Sequence, residues 1–140
     1  MKQAFTMIEL VFVIVVLGIL AGIAAPRLFA TRDDAIIAKA RADIASIQSA
    51  IVNARNTNML SGRFVFPNLD SSPTSQKLFD NVLQGGIKQK DSGDTSGWER
   101  SGTTYTFTNP SIGSVQFTYN IANGTFGCDN TKYGCKKLTE

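Results

Sequence analysis

The fold is decided by residues 5–25, which read FTMIELVFVIVVLGILAGIAA and carry a single charge, that of Glu9. As an α-helix these 21 residues would span about 31 Å, which matches a hydrocarbon core about 30 Å thick. Their length and their almost unbroken apolar composition therefore predict a transmembrane helix.

Glu9 is a costly residue for such a helix. A carboxylate at bilayer depth costs about 2.5–3.5 kcal/mol on insertion scales, so a segment that served only as an anchor has no reason to keep it. Residues 5–25 contain no cation that could be its partner. If a peptidase cut after Ala4, the new α-ammonium on Phe5 would lie four residues from Glu9. The two charges would then neutralise each other, within one chain or between neighbouring copies.

The stretch KQAFTMIELV, from Lys2 to Val11, resembles the start of a type IV pilin or type II secretion pseudopilin precursor. That family has a short basic leader, a small residue before the cut, and a Phe-Thr-Leu-Ile-Glu-Leu-like segment that opens a membrane helix. The resemblance covers about 30 residues. Ala4 stands where the family nearly always has glycine, and Met7 replaces the usual leucine, a swap that conserves volume.

The resemblance implies a structural filament subunit of a type IV pilus, or of a pseudopilus of the type II secretion or competence kind. A prepilin peptidase would process it, and an inner-membrane assembly platform would polymerise it with itself and with other pilin-like subunits. Its single-pass chain would lie in the inner membrane, with the globular part in the periplasm. The implied sites are Ala4 and Phe5 for leader cleavage, Phe5 for N-methylation, Glu9 and Phe5 for assembly, and Gly18, Gly22 and Pro26 for helix flexibility.

Two other interpretations of the apolar segment remain open. A cleavable secretory signal peptide needs a basic region before its apolar run, whereas here Glu9 offsets Lys2, and cleavage after Ala25 would place Pro26 beside the cut. An ordinary single-span anchor leaves Glu9 unexplained. Glycine and proline are also simply common in membrane helices, which is the alternative to a role in helix flexibility.

The helix is predicted to continue beyond the membrane and to end near Thr57, before Ser61-Gly62. One helix from about Phe5 to Thr57 would be roughly 80 Å long, with a membrane half followed by an amphipathic half. Apolar residues in the second half recur at alternating three- and four-residue steps, which is the pattern of a buried helix stripe. The stripe consists of Ile37, Ala40, Ile44, Ile47, Ile51 and Ala54.

The middle of the chain predicts one short helix over residues 75–84, with Thr74 as its N-cap and Gly85-Gly86 as its end. The polar residues 88–97 predict a surface loop. Three acidic side chains in this loop and just after it invite a calcium interpretation, but their spacing does not fit a calcium loop. They are Asp91, Asp94 and Glu99.

The last third of the chain predicts an antiparallel meander. Apolar and polar residues alternate over 104–108 and again over 115–121, and a strand at 98–100 pairs with the first of these. Asn123-Gly124 predicts a two-residue hairpin turn before a strand at 125–128. The helix stripe would cover the apolar face of this sheet.

The predicted fold class is therefore α+β, with a long N-terminal helix packed on a small antiparallel sheet in a pilin-like arrangement. The predicted domains are a leader at residues 1–4, a transmembrane and filament-core helix half at residues 5–25, and a periplasmic globular domain at residues 26–140. That domain includes the helix to about residue 57.

Two cysteines, Cys128 and Cys135, lie close together near the C-terminus. In a chain whose bulk lies beyond a membrane segment, such a pair predicts a disulfide. Six residues separate them, which is too wide for a thiol-redox motif. Two soft ligands without histidine do not make a zinc site, and we expect neither a metal nor a cofactor.

Composition restricts the remaining function classes. The chain has no histidine, which excludes histidine-based triads, metal sites and acid–base catalysts, and it has no nucleophile elbow and no phosphate-binding loop. A net charge of +3 is too small to argue for nucleic acid. The alternative function is a membrane-tethered binding module, for example for DNA during uptake. It would use the basic tail Lys132, Lys136 and Lys137, with Tyr133 beside it.

Overall fold

The computed structural model describes residues 3–140. Met1 and Lys2 of the predicted leader lie outside these residues. The chain forms a long helix, then strands, then a short C-terminal helix. The elements are α1 (Met7–Leu60), β1 (Lys77–Leu78), β2 (Ile87–Lys88), β3 (Gly97–Ser101), β4 (Thr104–Asn109), β5 (Gly113–Asn120), β6 (Thr125–Cys128) and α2 (Tyr133–Thr139).

Backbone packing divides the protein into two compact units, one ending at Asp34 and the other spanning Ala35–Glu140. The helix α1 contributes residues to both. In the first unit almost every described side chain is exposed, and the buried core lies in the second. The domain boundary predicted at residues 25–26 rests on hydropathy alone and stays a prediction.

The last four strands form the predicted antiparallel meander, in the order β3-β4-β5-β6. Trp98 pairs with Phe107 across β3 and β4, and Phe107 pairs with Val115 across β4 and β5. Along β4 buried and half-buried positions alternate, as expected of a sheet with one face on the core. The meander is therefore confirmed.

The turn between β5 and β6 differs from the predicted two-residue hairpin. The last pair of the ladder joins Asn120 to Thr125, so the turn has four residues, 121–124. The Gly124 amide donates to the Asn120 carbonyl at 2.8 Å, and Gly124 has a φ of +71°. A Cβ at this position would lie 2.1 Å from the ring of Phe66. The glycine accommodates a packed phenylalanine and does not form the tight turn expected for Asn-Gly.

The second part of α1 covers the sheet through the predicted stripe, whose first five members are buried; Ala54 is half-buried. Two polar contacts fix the register of the helix on the strands. The indole nitrogen of Trp98 donates to Asp43 Oδ2 at 3.2 Å, and Gln48 Nε2 donates to the Phe126 carbonyl at 3.2 Å. These contacts confirm the α+β fold class with a long helix on a small antiparallel sheet.

The helix ends three residues later than predicted, at Leu60. The Arg63 amide donates back to the Asn58 carbonyl at 2.8 Å, and Gly62 adopts a φ of +74°. A left-handed glycine that returns the chain to the last turn is the usual way to satisfy terminal carbonyls.

Aromatic rings fill the centre of the core. The ring of Phe79 stacks on Tyr105 with centroids 4.6 Å apart and meets Trp98 and Phe126 edge-on. Phe117 stacks on Phe126 at 5.2 Å. Such pairs contribute about 0.5–1.5 kcal/mol each beyond area burial, so this cluster is a major source of the fold's stability.

The predicted helix over residues 75–84 is wrong. Instead β1 pairs with β2 in a small antiparallel ladder, and Phe79 adopts a left-handed φ of +60°. Its amide donates to Asp70 Oδ1 at 2.6 Å, so it is not available to a helix. Burial of the Phe79 ring together with this hydrogen bond outweighs the helical spacing of the apolar residues.

The short helix α2 was not predicted. Gly134, Cys135 and Leu138 are its buried residues. A Cβ at Gly134 would lie 2.5 Å from the Val115 side chain, so the helix approaches β5 closely. Tertiary contacts of this kind, rather than helix propensity, account for so short an element.

Candidate functional site

The predicted cleavage point between Ala4 and Phe5 lies outside regular secondary structure. Residues 3–6 precede α1, and their side chains are exposed. The peptide bond after Ala4 is therefore free of helical hydrogen bonding, as a protease substrate needs to be. Cleavage there and N-methylation of Phe5 remain predictions.

The helix start is organised by Thr6 and Glu9. The Glu9 amide donates to Thr6 Oγ1 at 3.3 Å. In return, Glu9 Oε2 accepts from the Thr6 amide at 3.4 Å and from the Thr6 hydroxyl at 3.3 Å. This reciprocal arrangement is a capping box, with Thr6 at N-cap and Glu9 at N3. Position in the first turn also suits a carboxylate, because the helix dipole is positive there.

The capping box gives Glu9 hydrogen-bond partners that were not predicted from the sequence. Sequence reasoning looked for a cation and found none, whereas the structure supplies neutral donors from Thr6. The signal that would have revealed them is the spacing Thr-x-x-Glu. Among residues 3–140 the hydrogen bonds of the carboxylate all go to Oε2. Oε1 is thus left for a further partner, and Phe5, the predicted partner, makes no hydrogen bond to Glu9 within the described chain.

The first half of α1 presents apolar side chains on all sides. No residue of its most apolar window is buried, and the helix is long and apolar enough to cross a membrane. In water this surface would be unstable, because contiguous exposed apolar area of this extent marks a contact with lipid or protein. The exposed side chains include the predicted packing residues Phe12, Val13, Val16, Ile19 and Leu20.

The residues predicted to give the helix flexibility all lie within continuous α-helix. Pro26 is inside α1, and neither Gly18 nor Gly22 has other atoms within 4 Å of a Cβ position. The two glycines are four residues apart and so share one face, where small residues allow close approach of another helix. Their role in flexibility remains a prediction.

A disulfide joins Cys128, at the end of β6, to Cys135 in α2, with the Cα atoms 5.8 Å apart. A loop this short contributes roughly 2–3 kcal/mol in the chain-entropy estimate. Cys135 and Leu138 are buried against the sheet. The covalent bond and the packing together hold the C-terminal helix in place.

The basic tail is only partly a positive surface. Lys137 Nζ lies 5.8 Å above the Tyr133 ring, and Arg41 Nε donates to the Lys137 carbonyl at 2.6 Å, which adds a cation from α1. Asp129 lies nearby, and hydrogen bonds from Thr131 lower the pKa of its carboxyl group. Cations and anions are therefore mixed here, a weak basis for binding a polyanion.

No group of three or more metal-ligating side chains occurs in residues 3–140. The carboxylates of the 88–97 loop have other partners. Asp91 accepts from Lys88 Nζ at 2.7 Å, and Asp94 accepts from the Asp91 amide at 2.9 Å. These contacts give the acidic residues of the loop a structural explanation.

A partly buried polar network that sequence reasoning missed joins the 61–83 segment to β3 and β4. Asp70 Oδ2 binds Arg100 Nη1 at 2.7 Å and accepts from the Tyr105 hydroxyl. The Asp70 hydrogen bond raises the pKa of Arg100, while burial, followed by the bond to Asp70, raises the pKa of Tyr105. Within the described chain no buried side-chain nitrogen or oxygen lacks a partner, so the polar groups of this network are satisfied within the fold.

Comparison with known protein families identifies the N-terminal segment. Residues 1–25 match the prokaryotic N-terminal methylation motif. This is the prepilin-type signal of type IV pilins and pseudopilins, and the match covers the predicted cleavage point, Thr6 and Glu9. The resemblance noted from the sequence is therefore confirmed. Neither the curated proteins nor the solved structures contain a match to the chain.

The methylation motif contains both residues of the capping box at the start of α1. In a prepilin-type signal the acidic residue lies one helical turn beyond the cleavage point, where Glu9 is found. The motif ends at Ala25, directly before Pro26, and the remaining 115 residues of the 140 lie outside it.

Proposed function

We propose that this protein is a structural subunit of a type IV pilus or of a pseudopilus, and not an enzyme. A prepilin peptidase would cut between Ala4 and Phe5 and the new N-terminus would be methylated. The mature chain would polymerise through α1 with itself and other pilin-like subunits on an inner-membrane platform. Its globular part would lie in the periplasm. The observation that carries the proposal is the methylation motif at residues 1–25, on a helix half with no buried residue.

The capping box suggests how the Phe5 ammonium and Glu9 would work together. In the monomer, Thr6 donates to Oε2 and so lowers the cost of a carboxylate near the membrane. Removal of residues 1–4 leaves Thr6 and this cap in place. The ammonium of Phe5 in an adjacent subunit would then bind the carboxylate, adding a charge-assisted hydrogen bond. Because only one axial offset brings the two groups together, this contact would select the register of assembly.

The first test is the N-terminus of the protein isolated from its native membrane. N-terminal sequencing and intact mass should give an N-methylated Phe5. An intact Met1 would instead favour a tethered periplasmic domain, and a start near Ala25 or Pro26 would identify a secreted protein. Either of those results would refute the proposal.

The second test separates the charge of Glu9 from its capping role. Glu9→Val should still insert in the membrane but fail to assemble. Glu9→Gln is the matched variant, because glutamine also serves in a capping box but has no charge. We expect both variants to lose sheared filaments by at least about ten-fold, as for a lost charge-assisted contact of about 1.5–3 kcal/mol. Normal filament yield from Glu9→Gln would rule out neutralisation of the Phe5 ammonium.

A further inference from the structure

A surface concavity of about 610 Å³ lies in the unit Ala35–Glu140. Four separate parts of the chain line it: the end of α1, the segment that follows, the β1–β2 connection and the β5–β6 turn. Ala54, Arg63, Val65 and Ile121 are among the lining residues. Its walls therefore depend on the tertiary fold and not on one flexible loop.

Val65 and Ile121, which line the concavity, are exposed large apolar side chains, and so are Leu60 and Phe64, which neighbour its lining residues in the chain. Leu60 is 91% exposed, Phe64 80%, and Val65 and Ile121 52% each. We call these four residues the Phe64 patch. A cluster of exposed aliphatic and aromatic side chains on a domain that has its own core is typical of an interaction surface.

The concavity is preformed. The Phe66 ring, which forms part of its wall, lies against Gly124 and under the Arg55 guanidinium, whose carbon is 4.2 Å from the ring centroid. Asn58 Nδ2 donates to the Val65 carbonyl at 3.1 Å, and the Tyr119 hydroxyl donates to the Pro67 carbonyl at 2.7 Å. A partner would therefore bind with little ordering cost, which favours affinity.

The charge of the concavity is one-sided. Arg63 lines it and Arg55 stands over its wall, whereas none of the residues that line it is acidic. A segment that binds there should therefore carry a large apolar side chain followed closely by carboxylates. Complementary charges of this kind fix orientation and register more than they add raw affinity.

The first unit of this chain carries such a segment. Leu28 and Phe29 are exposed on α1, and Asp33-Asp34 follow them. Phe29 and Asp33 are four residues apart, so they share one face of the helix. Glu9 is the other acidic residue of this unit, and it lies within the predicted membrane half.

We propose that the Phe64 patch of one subunit docks residues 28–34 of a second copy of this chain. Leu28 or Phe29 would enter the concavity, and the Asp33-Asp34 pair would meet Arg63. The contact rests on the proposed filament function, since it requires parallel copies in one assembly. It differs from the Glu9–Phe5 contact, because it joins the globular part of one copy to the helix of another.

The test uses the full-length protein in its native membrane, with sheared filaments as the readout. Arg63→Glu and Asp33→Arg should each reduce filament yield about five-fold, as for loss of a favourable ion pair, and the combined charge swap should restore it. Lys77→Glu is the matched control, because Lys77 is an exposed cation on β1 that does not line the concavity. It should assemble normally.

A crosslinking experiment keeps the proposal testable if a charge variant folds poorly. The double variant Phe64→Cys/Phe29→Cys should give a ladder of disulfide-linked oligomers on oxidation of assembled filaments. Tyr133→Cys/Phe29→Cys, with an exposed aromatic replaced on α2, should not. Filaments without that ladder and with normal yield from Arg63→Glu would overturn this contact alone. Absence of filaments from the unaltered protein would overturn the filament function and this contact together.

Discussion

Removal of the Asp70 carboxylate should destabilise the protein more than any surface charge change. Its Oδ1 accepts from the Phe79 amide at 2.6 Å. Its Oδ2 binds Arg100 Nη1 at 2.7 Å and accepts from the Tyr105 hydroxyl. The side chains of Asp70 and Arg100 are each only 9% exposed. One carboxylate thus joins the irregular segment, β3, β4 and the left-handed residue Phe79.

The expected magnitude follows from this burial. Asp70→Ala leaves a guanidinium without its counter-ion, which costs about 3–5 kcal/mol when the pair is buried. Arg100 cannot avoid this cost by losing its proton, because arginine stays charged in proteins. Domains of this size have a free energy of unfolding of about 5–15 kcal/mol. The substitution should therefore remove a large fraction of the stability of the globular part.

The assay is urea unfolding of the full-length protein in detergent micelles, followed by the fluorescence of Trp98. Trp98 is the single tryptophan and is buried against Phe107 and Phe117, so its emission reports the core. The matched control is Asp91→Ala. It breaks an ion pair of the same 2.7 Å length whose side chains are 75% and 68% exposed, and it should cost no more than about 1 kcal/mol.

The companion variant Asp70→Ala/Arg100→Met removes both charges, and we expect it to recover part of the lost stability, since it leaves no unpaired ion. Equal and small losses for Asp70→Ala and Asp91→Ala would show that burial of the pair has no energetic consequence. The reasoning about this network would then be wrong.

Two other predictions concern the turn and the pH dependence of stability. Gly124→Ala should cost about 1–3 kcal/mol, because a Cβ there would lie 2.1 Å from the Phe66 ring at a φ of +71°; Gly127→Ala, with nothing within 4 Å of its Cβ position, is the control in the same unfolding assay, and equal losses would contradict the clash. The second prediction concerns Asp80, where hydrogen bonds from the Ser71 hydroxyl and amide lower the pKa below its ordinary value of 3.8. The stability from this group is present above pH 3.8 and is lost as the pH falls through the lower pKa of the folded state. Asp80→Asn should therefore be less stable at neutral pH and lose less stability on acidification. Asp43 has the opposite effect on the pH dependence of stability. Burial raises its pKa, despite the hydrogen bond from Trp98 and the charge of Lys39, so its ionisation lowers stability as the pH rises. Unfolding curves of Asp80→Asn and Asp43→Asn, collected from about pH 7 to about pH 2, would contradict this account if both variants changed the pH slope in the same direction.

The spacing of apolar residues correctly predicted those elements in which the buried positions follow the regular period of a helix or a strand. Ile37, Ile44 and Ile51 recur seven residues apart and are buried, because one helix face lies on one sheet face. Strands β4 and β5 alternate for the same reason. In each case the whole element packs one face on the same core, so burial follows a regular sequence period that can be recognised without the structure.

The same reasoning failed where one distant contact decides the local conformation. Leu78, Phe79, Val82 and Leu83 are spaced as on a helix face, yet Phe79 is drawn into the aromatic cluster while its amide binds Asp70. Nothing near residue 79 in the sequence indicates that carboxylate. Helix α2 escaped prediction for a similar reason, since its position depends on the disulfide and on the contact of Gly134 with Val115.

At the candidate site, sequence reasoning selected Glu9 but missed its contact with Thr6, although that contact was predictable. The Thr-x-x-Glu spacing is present in the sequence, and the capping interaction follows from it by a general rule. Sequence reasoning considered only a charge that would balance Glu9, whereas neutral donors also satisfy the hydrogen-bonding capacity of a carboxylate.

In the proposed filament, the main contribution of Glu9 would be to the free energy of assembly. Lipid tails are as apolar as leucine, so a helix that leaves the bilayer for a filament core gains little from the hydrophobic effect. The exposed apolar surface of the first half of α1 therefore explains why the protein needs lipid or partners, but not why it would prefer partners. The preference must come from close packing, for which Gly18 and Gly22 provide a face, and from polar contacts. Relief of the insertion cost of one carboxylate, about 2.5–3.5 kcal/mol, would then be a substantial share of the difference between a membrane-embedded and an assembled subunit. Glu9 would then have a thermodynamic role in the proposed filament in addition to its role in register.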